Sequence, residues 1–159
     1  MGEISNLDKN LLHLGFLGEY ESTLDGKNRF VFPSALKKQY PEGETRFIIS
    51  RGLDDCLMLY TLDAWKKVEE KLSALNEADP NVRIFKLLML GGATEVELDS
   101  GGRLLMPQTL KKHASIEKEM MLVAVIDKVK IFNLDAYNKL FVNNAANFTN
   151  LAQMVNISV

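Results

Sequence analysis

Leu24-Asp25-Gly26-Lys27-Asn28-Arg29-Phe30-Val31-Phe32-Pro33 returns later in the chain as Leu98-Asp99-Ser100-Gly101-Gly102-Arg103-Leu104-Leu105-Met106-Pro107. Each copy sets an aspartate four residues before an arginine, then apolar residues and a proline. A leucine and two lysines follow in register, Leu36-Lys37-Lys38 and Leu110-Lys111-Lys112. The offset is 74 positions from Gly18 to Lys38, with Glu21 matching Glu95, and it still aligns Phe47-Ile48-Ile49 with Met121-Leu122-Val123. It falls to 72 at Leu62-Asp63-Ala64-Trp65 and Leu134-Asp135-Ala136-Tyr137. A repeat on this scale governs any reading of the fold.

Within each copy the pattern predicts strand, turn and return strand. Phe16 to Leu24 leads into the Asp25-Gly26 turn signal, and Arg29 to Phe32 returns as the second arm of a hairpin. An aspartate opening a turn accepts backbone N–H bonds inside it, and a guanidinium returning beside it closes the turn as an ion pair. Pro33 ends the strand and pre-sets a short helix, Ser34 to Tyr40. Arg46–Ser50 and Cys56–Tyr60 read as further strands. A helix follows with Trp65, Val68, Leu72 and Leu75 on one face, capped by Thr61 or Asp63. Asp79-Pro80 starts another helix, which stops at Gly91-Gly92. Its run from Val82 to Leu90 is apolar nearly all round, so burial is expected, between modules or between subunits. The second copy repeats the scheme: strands at 94–98, 103–106, 120–126 and 129–132, a short helix at 108–114 and a helix near Asp135. The chain thus divides into a leader or arm at 1–15, modules at 16–90 and 91–142, and an Asn-rich tail at 143–159.

The chain has 159 residues, so each module alone would bury only a thin core; a shared core or partner subunits are expected. No apolar run suits a membrane span, and Met1-Gly2-Glu3-Ile4-Ser5 lacks the basic start of a signal peptide. The expected address is cytoplasmic, with no membrane partner. One cysteine, Cys56, excludes an internal disulfide and reads as a buried inert thiol. The formal net charge is −2, yet residues 25–51 hold six basic side chains (Lys27, Arg29, Lys37, Lys38, Arg46, Arg51) against three acidic ones, a local +3.

Neither histidine, His13 nor His113, belongs to a catalytic constellation, and no nucleophile elbow, phosphate loop or metal-ligand cluster is present. The residues favour a binding protein over an enzyme, with no cofactor and no small-molecule substrate. The repeated Asp-x-x-x-Arg has two readings. One is a salt bridge shaping a turn, which contributes only ~0–1 kcal/mol when exposed. The other is an arginine carried into a DNA groove on a β-ribbon. Lys27 and Asn28 favour the second reading for the first copy; Ser100, Gly101 and Gly102 favour the first for the second copy.

Gly18-x-Tyr20, Leu24-Asp25-x-x-x-Arg29-x-x-x-Pro33, Leu59-Tyr60-Thr61-Leu62-Asp63-Ala64-Trp65, Leu87-Leu88-Met89-Leu90-Gly91 and Leu98-Asp99-x-x-Gly102-Arg103-Leu104-Leu105-x-Pro107 together resemble the MraZ family of bacterial proteins. The resemblance spans about Phe16 to Phe141. It implies an α+β fold of tandem, pseudo-symmetric swapped-hairpin β-barrel modules similar to AbrB and MazE, with flanking helices. It also implies a ring-shaped homo-oligomer, nucleoid-associated, that binds double-stranded DNA at promoter-proximal direct repeats and regulates the cell division and cell wall gene cluster. The DNA contact maps to Arg29, Lys27 and Asn28 with Asp25, and to Arg103 with Asp99. The alternative implied by the same resemblance is an antitoxin-like protein-interaction module with secondary DNA binding. Two departures stand out: Gly15 occupies the place of the family's methionine, and the second turn has no lysine.

Overall fold

The two strands flanking the first turn do not pair with each other. In the computed structural model, which describes residues 14–159, β1 (Phe16–Thr23) runs antiparallel to β7 (Glu119–Ile126), and β2 (Arg29–Val31) antiparallel to β6 (Arg103–Leu105). With β3 (Arg46–Arg51), β4 (Leu57–Thr61), β5 (Thr94–Glu97) and β8 (Lys128–Asn133), the strands form one six-stranded sheet ordered β1-β7-β8-β4-β3-β5, and β2-β6 forms a separate ribbon. The helices are α1 (Ser34–Lys37), α2 (Leu62–Ser73), α3 (Pro80–Gly91), α4 (Gln108–His113), α5 (Leu134–Ala145) and α6 (Phe148–Met154). The architecture is α+β with antiparallel sheets. Of the leader expected at 1–15, residues 1–13, including His13, lie outside the described residues.

Two expectations are corrected. The local hairpin closed by Arg29 is absent as a ladder: β1 is taken by β7 and β2 by β6, and beyond the Asp25–Arg29 turn itself the two arms are joined by the Ser22 hydroxyl to Val31 carbonyl bond (3.0 Å). The sheet is also not a closed barrel, since β1 and β5 are its edges. Periodicity reports which residues form strands but not which strands pair, because pairing is decided by contacts distant in sequence.

The repeat is visible in the pairings. Phe30 lies opposite Leu104, and Met58 opposite Lys130, so each of these antiparallel pairs joins a segment to its own copy. The β1–β7 pairing has its counterpart in β5–β3, where Glu97 faces Arg46 and Thr94 faces Ile49. The halves are therefore related by an approximate twofold and exchange strands. Their core is common: Phe30, Phe32, Leu36, Phe47 and Ile49 pack in one buried cluster with Leu104, Met106, Leu110, Met120, Leu122 and Ile131. Each half supplies strands that the other completes, which is how modules of this size reach a sufficient core.

Local chemistry supports the elements. Thr61 Oγ1 accepts from the Ala64 N–H (3.1 Å), and its counterpart Asn133 Oδ1 accepts from the Ala136 N–H (3.1 Å), capping α2 and α5. Asp79 caps α3 through the Asn81 N–H (2.9 Å), with Pro80 in the first turn. At Gly18, φ is +110°, and a Cβ would lie 2.5 Å from the Tyr20 hydroxyl, so only glycine fits this kink of the edge strand. There the Gln39 amide accepts from the Leu17 N–H and donates to the Leu17 carbonyl (both 2.9 Å), standing in for a neighbouring strand. Cys56 is fully buried, as expected, and burial pushes its thiol up from the usual range.

Of the two places expected to bury the run from Val82 to Leu90, the one between the modules is not found. Within one chain only Met89 is buried, against Tyr60, Trp65 and Leu72; Ile84, Phe85, Leu87, Leu88 and Leu90 are exposed. The helix is held at its end by Arg51, whose Nη1 donates to the Leu88 carbonyl (2.9 Å). It lies at the surface rather than between the modules.

Strand exchange makes a strong prediction. Residues 14–90 expressed alone lack the partner of β1, so they should be unfolded as a monomer and gain structure only by pairing with a second copy. Circular dichroism across a concentration series checks this; a monomer with a cooperative transition would contradict the exchange. In the full chain, Phe30→Ala removes a fully buried ring at the approximate twofold, and should cost about 3–5 kcal/mol in urea unfolding.

Candidate nucleic-acid interface

The two turns share one hydrogen-bond scheme. Asp25 Oδ1 accepts from the Lys27 and Arg29 N–H groups (2.9 Å each), and its Oδ2 accepts from Arg29 Nε (3.0 Å). Asp99 Oδ1 accepts from the Gly101 and Arg103 N–H groups (2.9 Å each), and its Oδ2 from Arg103 Nε (3.1 Å). A residue with positive φ completes each turn, Asn28 at 59° and Gly102 at 72°. Asparagine and glycine are the residues that tolerate this region best. The backbone N–H of each arginine, then the second turn N–H and the guanidinium, hold both aspartates below the usual carboxylate range.

The ribbon brings the turns together. The Phe32 N–H donates to the Gly102 carbonyl (3.0 Å) and the Met106 N–H to the Asn28 carbonyl (2.7 Å), so each half closes the other's turn. Arg103 Nη1 lies 3.9 Å from Asp25 Oδ2. Along the ribbon, side chains alternate: Phe30 (1%) and Leu104 (0%) are buried, whereas Val31 (56%) and Leu105 (57%) are exposed. Arg29 and Arg103 belong to the outward set by the same period of two. They keep 29% and 35% of their side chains exposed, with Nε held by the carboxylate; among the described residues the terminal nitrogens have no close partner other than that 3.9 Å contact.

The candidate residues therefore fall into one region. Asp25, Lys27, Asn28, Arg29, Asp99 and Arg103 all lie in the two facing turns. Lys27 is exposed; Asn28 is half-buried, and its Oδ1 accepts from Lys111 Nζ of the other half (3.0 Å). The basic segment 25–51 is not one patch, because Arg51 is turned onto α3. His113 Nε2 donates to the Gly52 carbonyl (3.1 Å), a structural role. The reading of the sequence missed Val31 and Leu105 as parts of the outer face; the alternation Arg29-Phe30-Val31-Phe32 held that signal. It also missed Lys111, whose contact with Asn28 spans 83 residues and leaves no local trace.

Among the described residues no group of three or more His, Cys, Asp or Glu side chains is arranged to hold a metal ion, and no helix is long and apolar enough to cross a membrane. The family model for MraZ protein, described as antitoxin-like, matches the chain twice in tandem, over residues 16–88 and 89–156. The chain belongs to the MraZ family. The tandem match coincides with the internal repeat, and MraZ membership suggests a transcription-regulator-like role.

The turn carboxylates make stability pH-dependent. Both are depressed in the folded chain, so their contribution is complete above the ordinary aspartate value of 3.8 and is lost as pH falls through the lower folded values. The urea midpoint should therefore drop as pH falls below 3.8. A protein carrying both Asp25→Asn and Asp99→Asn should start lower at neutral pH and show a flatter acid limb; an unchanged limb would remove the carboxylates from that role.

Proposed function

We propose that the chain is a sequence-specific DNA-binding transcriptional regulator whose β2–β6 face enters a groove, with Arg29 as its principal reader. The observation that carries this reading is the Arg29 side chain, pinned through Nε to Asp25 with its terminal nitrogens outward on an exposed ribbon. A two-stranded ribbon fits the major groove, and arginine pairs with guanine O6 and N7 through two N–H groups. Lys27 beside it suits a phosphate. Arg103, held by Asp99, is the second and weaker reader, since its turn brings no lysine. Val31 and Leu105 on the same face suit the methyl groups of thymine.

The reading extends to assembly. Modules 16–90 and 91–142 act together as one DNA-presenting unit, and copies of the chain associate into a ring over promoter-proximal direct repeats, those upstream of the cell division and cell wall gene cluster. Support comes from the exposed apolar side chains of α3, Ile84, Phe85, Leu87, Leu88 and Leu90, and from those of α5 and α6, Phe141, Val142, Phe148 and Met154. Several readers on one ring bind tandem sites with an avidity that a single weakly basic face lacks. A protein of net charge −2 binds DNA this way, with strong salt dependence from its phosphate contacts. The apolar α3 face also favours a second reading, an antitoxin-like module that holds a protein partner there.

Arg29→Ala should keep its fold and lose about 5- to 100-fold in affinity for DNA upstream of the chain's own gene, with a smaller loss for Arg103→Ala, in anisotropy titrations at two salt concentrations. A folded Arg29→Ala protein that binds undiminished would remove DNA reading from this face. Leu88→Asp should lower the mass seen by light scattering while leaving the circular dichroism spectrum intact; an unchanged mass would take α3 out of assembly.

A further inference from the structure

The duplicated turns differ in one contact. Lys111 Nζ of α4 donates to Asn28 Oδ1 at 3.0 Å. By the repeat, Lys37 is the counterpart of Lys111 and Gly102 that of Asn28, and glycine offers Lys37 no side-chain acceptor. The first turn is thus locked across the halves, and the second is not. The assignment of the amide is chemically determined: an ammonium only donates, so the amide oxygen must face it and the amide nitrogen must face away. Asn28 is further constrained by its backbone, at φ 59° with its own carbonyl accepting from the Met106 N–H (2.7 Å).

We propose that Lys111 is a specificity-determining residue: it holds Asn28 as a hydrogen-bond donor and so directs the first turn toward bases that present acceptors. An asparagine reads adenine by accepting from N6 and donating to N7 together. Lys111 takes one lone pair of the amide oxygen, and its positive charge beside the other opposes any base edge that itself donates, adenine N6 or cytosine N4, so that pairing is disfavoured. The Nδ2 protons still suit guanine O6 and N7 or thymine O4. Lys111 acts through Asn28 rather than on the base. This inference rests on the DNA-reading role of the ribbon.

The test is in vitro selection from a randomised double-stranded DNA pool, run with the full-length wild-type protein, Lys111→Met, Asn28→Gly and the double variant. Glycine at 28 copies the residue that already occupies the equivalent place in the second turn, so the turn is retained. Thermal unfolding by circular dichroism confirms the fold of each. The wild type should discriminate guanine or thymine from adenine at one position of its site by about 5- to 100-fold. In Lys111→Met that discrimination should collapse to within about threefold or turn toward adenine, with the position read by Arg29 unaltered. In Asn28→Gly the preference at the same position should vanish, and adding Lys111→Met should change it no further. Three results overturn the proposal: Lys111→Met weakening all sequences alike with its preference intact, which makes Lys111 a phosphate contact; a double variant that differs from Asn28→Gly in base preference; or a wild-type preference for adenine at the position lost in Asn28→Gly. Absence of any sequence preference in the wild type overturns the DNA reading itself, and the proposal with it, so the two failures are separable.

Discussion

An antiparallel pair formed by two copies of one segment must straddle a twofold axis, and that constraint organises this chain. Phe30 faces Leu104 and Met58 faces Lys130. Once these pairs form, the first strand of each half lies beside the other half's strands rather than its own. The turns are then brought face to face, to the point that Arg103 Nη1 sits 3.9 Å from Asp25 Oδ2. The shared core follows from the same pairing, because the inner sides of strands from both halves pack into one cluster. Joining the halves in one chain makes the exchange intramolecular, at a high effective concentration of each for the other. The kinetic consequence is a fold dominated by contacts distant in sequence, and such folds form slowly.

Magnitudes separate what the turn carboxylates do for stability from what they do for the arginines. An exposed carboxylate–guanidinium pair is screened by solvent, so two such pairs are a small fraction of a domain's stability. Orientation is the larger effect. A free arginine side chain carries roughly 2 kcal/mol of rotamer entropy, most of which is lost when it docks on a base. Here Nε is already bonded to the carboxylate, and that carboxylate is itself fixed by two backbone N–H groups. The side chain is therefore ordered before any ligand arrives, which is the condition under which a few contacts can be selective. In the proposed DNA-reading role the aspartates are positioning groups, since a carboxylate would not itself approach a phosphate.

How much of this was legible in the residues follows from which interactions are local. The repeat, both turns, the caps at Thr61 and Asp79 and the buried Cys56 depend on neighbours within a few positions, and the pattern carried them; the positive φ of Asn28 and Gly102 was not read from it. The partner of β1 was not legible. Alternation along Phe16 to Thr23 is the same whether the strand closes a local hairpin or crosses to β7, so the simpler hairpin was read and is absent. The Lys111–Asn28 bond shares that limitation, since nothing local marks either residue as the other's partner. The apolar run of α3 was read as buried between modules or between subunits; it does not lie between the modules, and Ile84, Phe85, Leu87, Leu88 and Leu90 are exposed on the single chain. Periodicity states how much of a helix avoids water, not which molecule covers it.

The helices depart from the twofold that the strands obey. α2 and α5 correspond and have the same length, but α3 has 12 residues and α6 has 7. Their exposed faces differ accordingly: α3 shows Ile84, Phe85, Leu87, Leu88 and Leu90, the other half Phe141, Val142, Phe148 and Met154. Burying such side chains is worth roughly 1.5–3 kcal/mol each. Several of them left in water on a domain of ordinary marginal stability are the feature on which the proposed assembly rests. Because the two faces are unlike, copies that join one to the other meet head to tail, and head-to-tail contacts close into rings when the rotation per subunit divides a full turn. Symmetry inside the chain and asymmetry at its ends thus have different consequences. The inner twofold sets two arginine-bearing turns side by side, and the broken symmetry of the helices gives assembly, where it occurs, a direction.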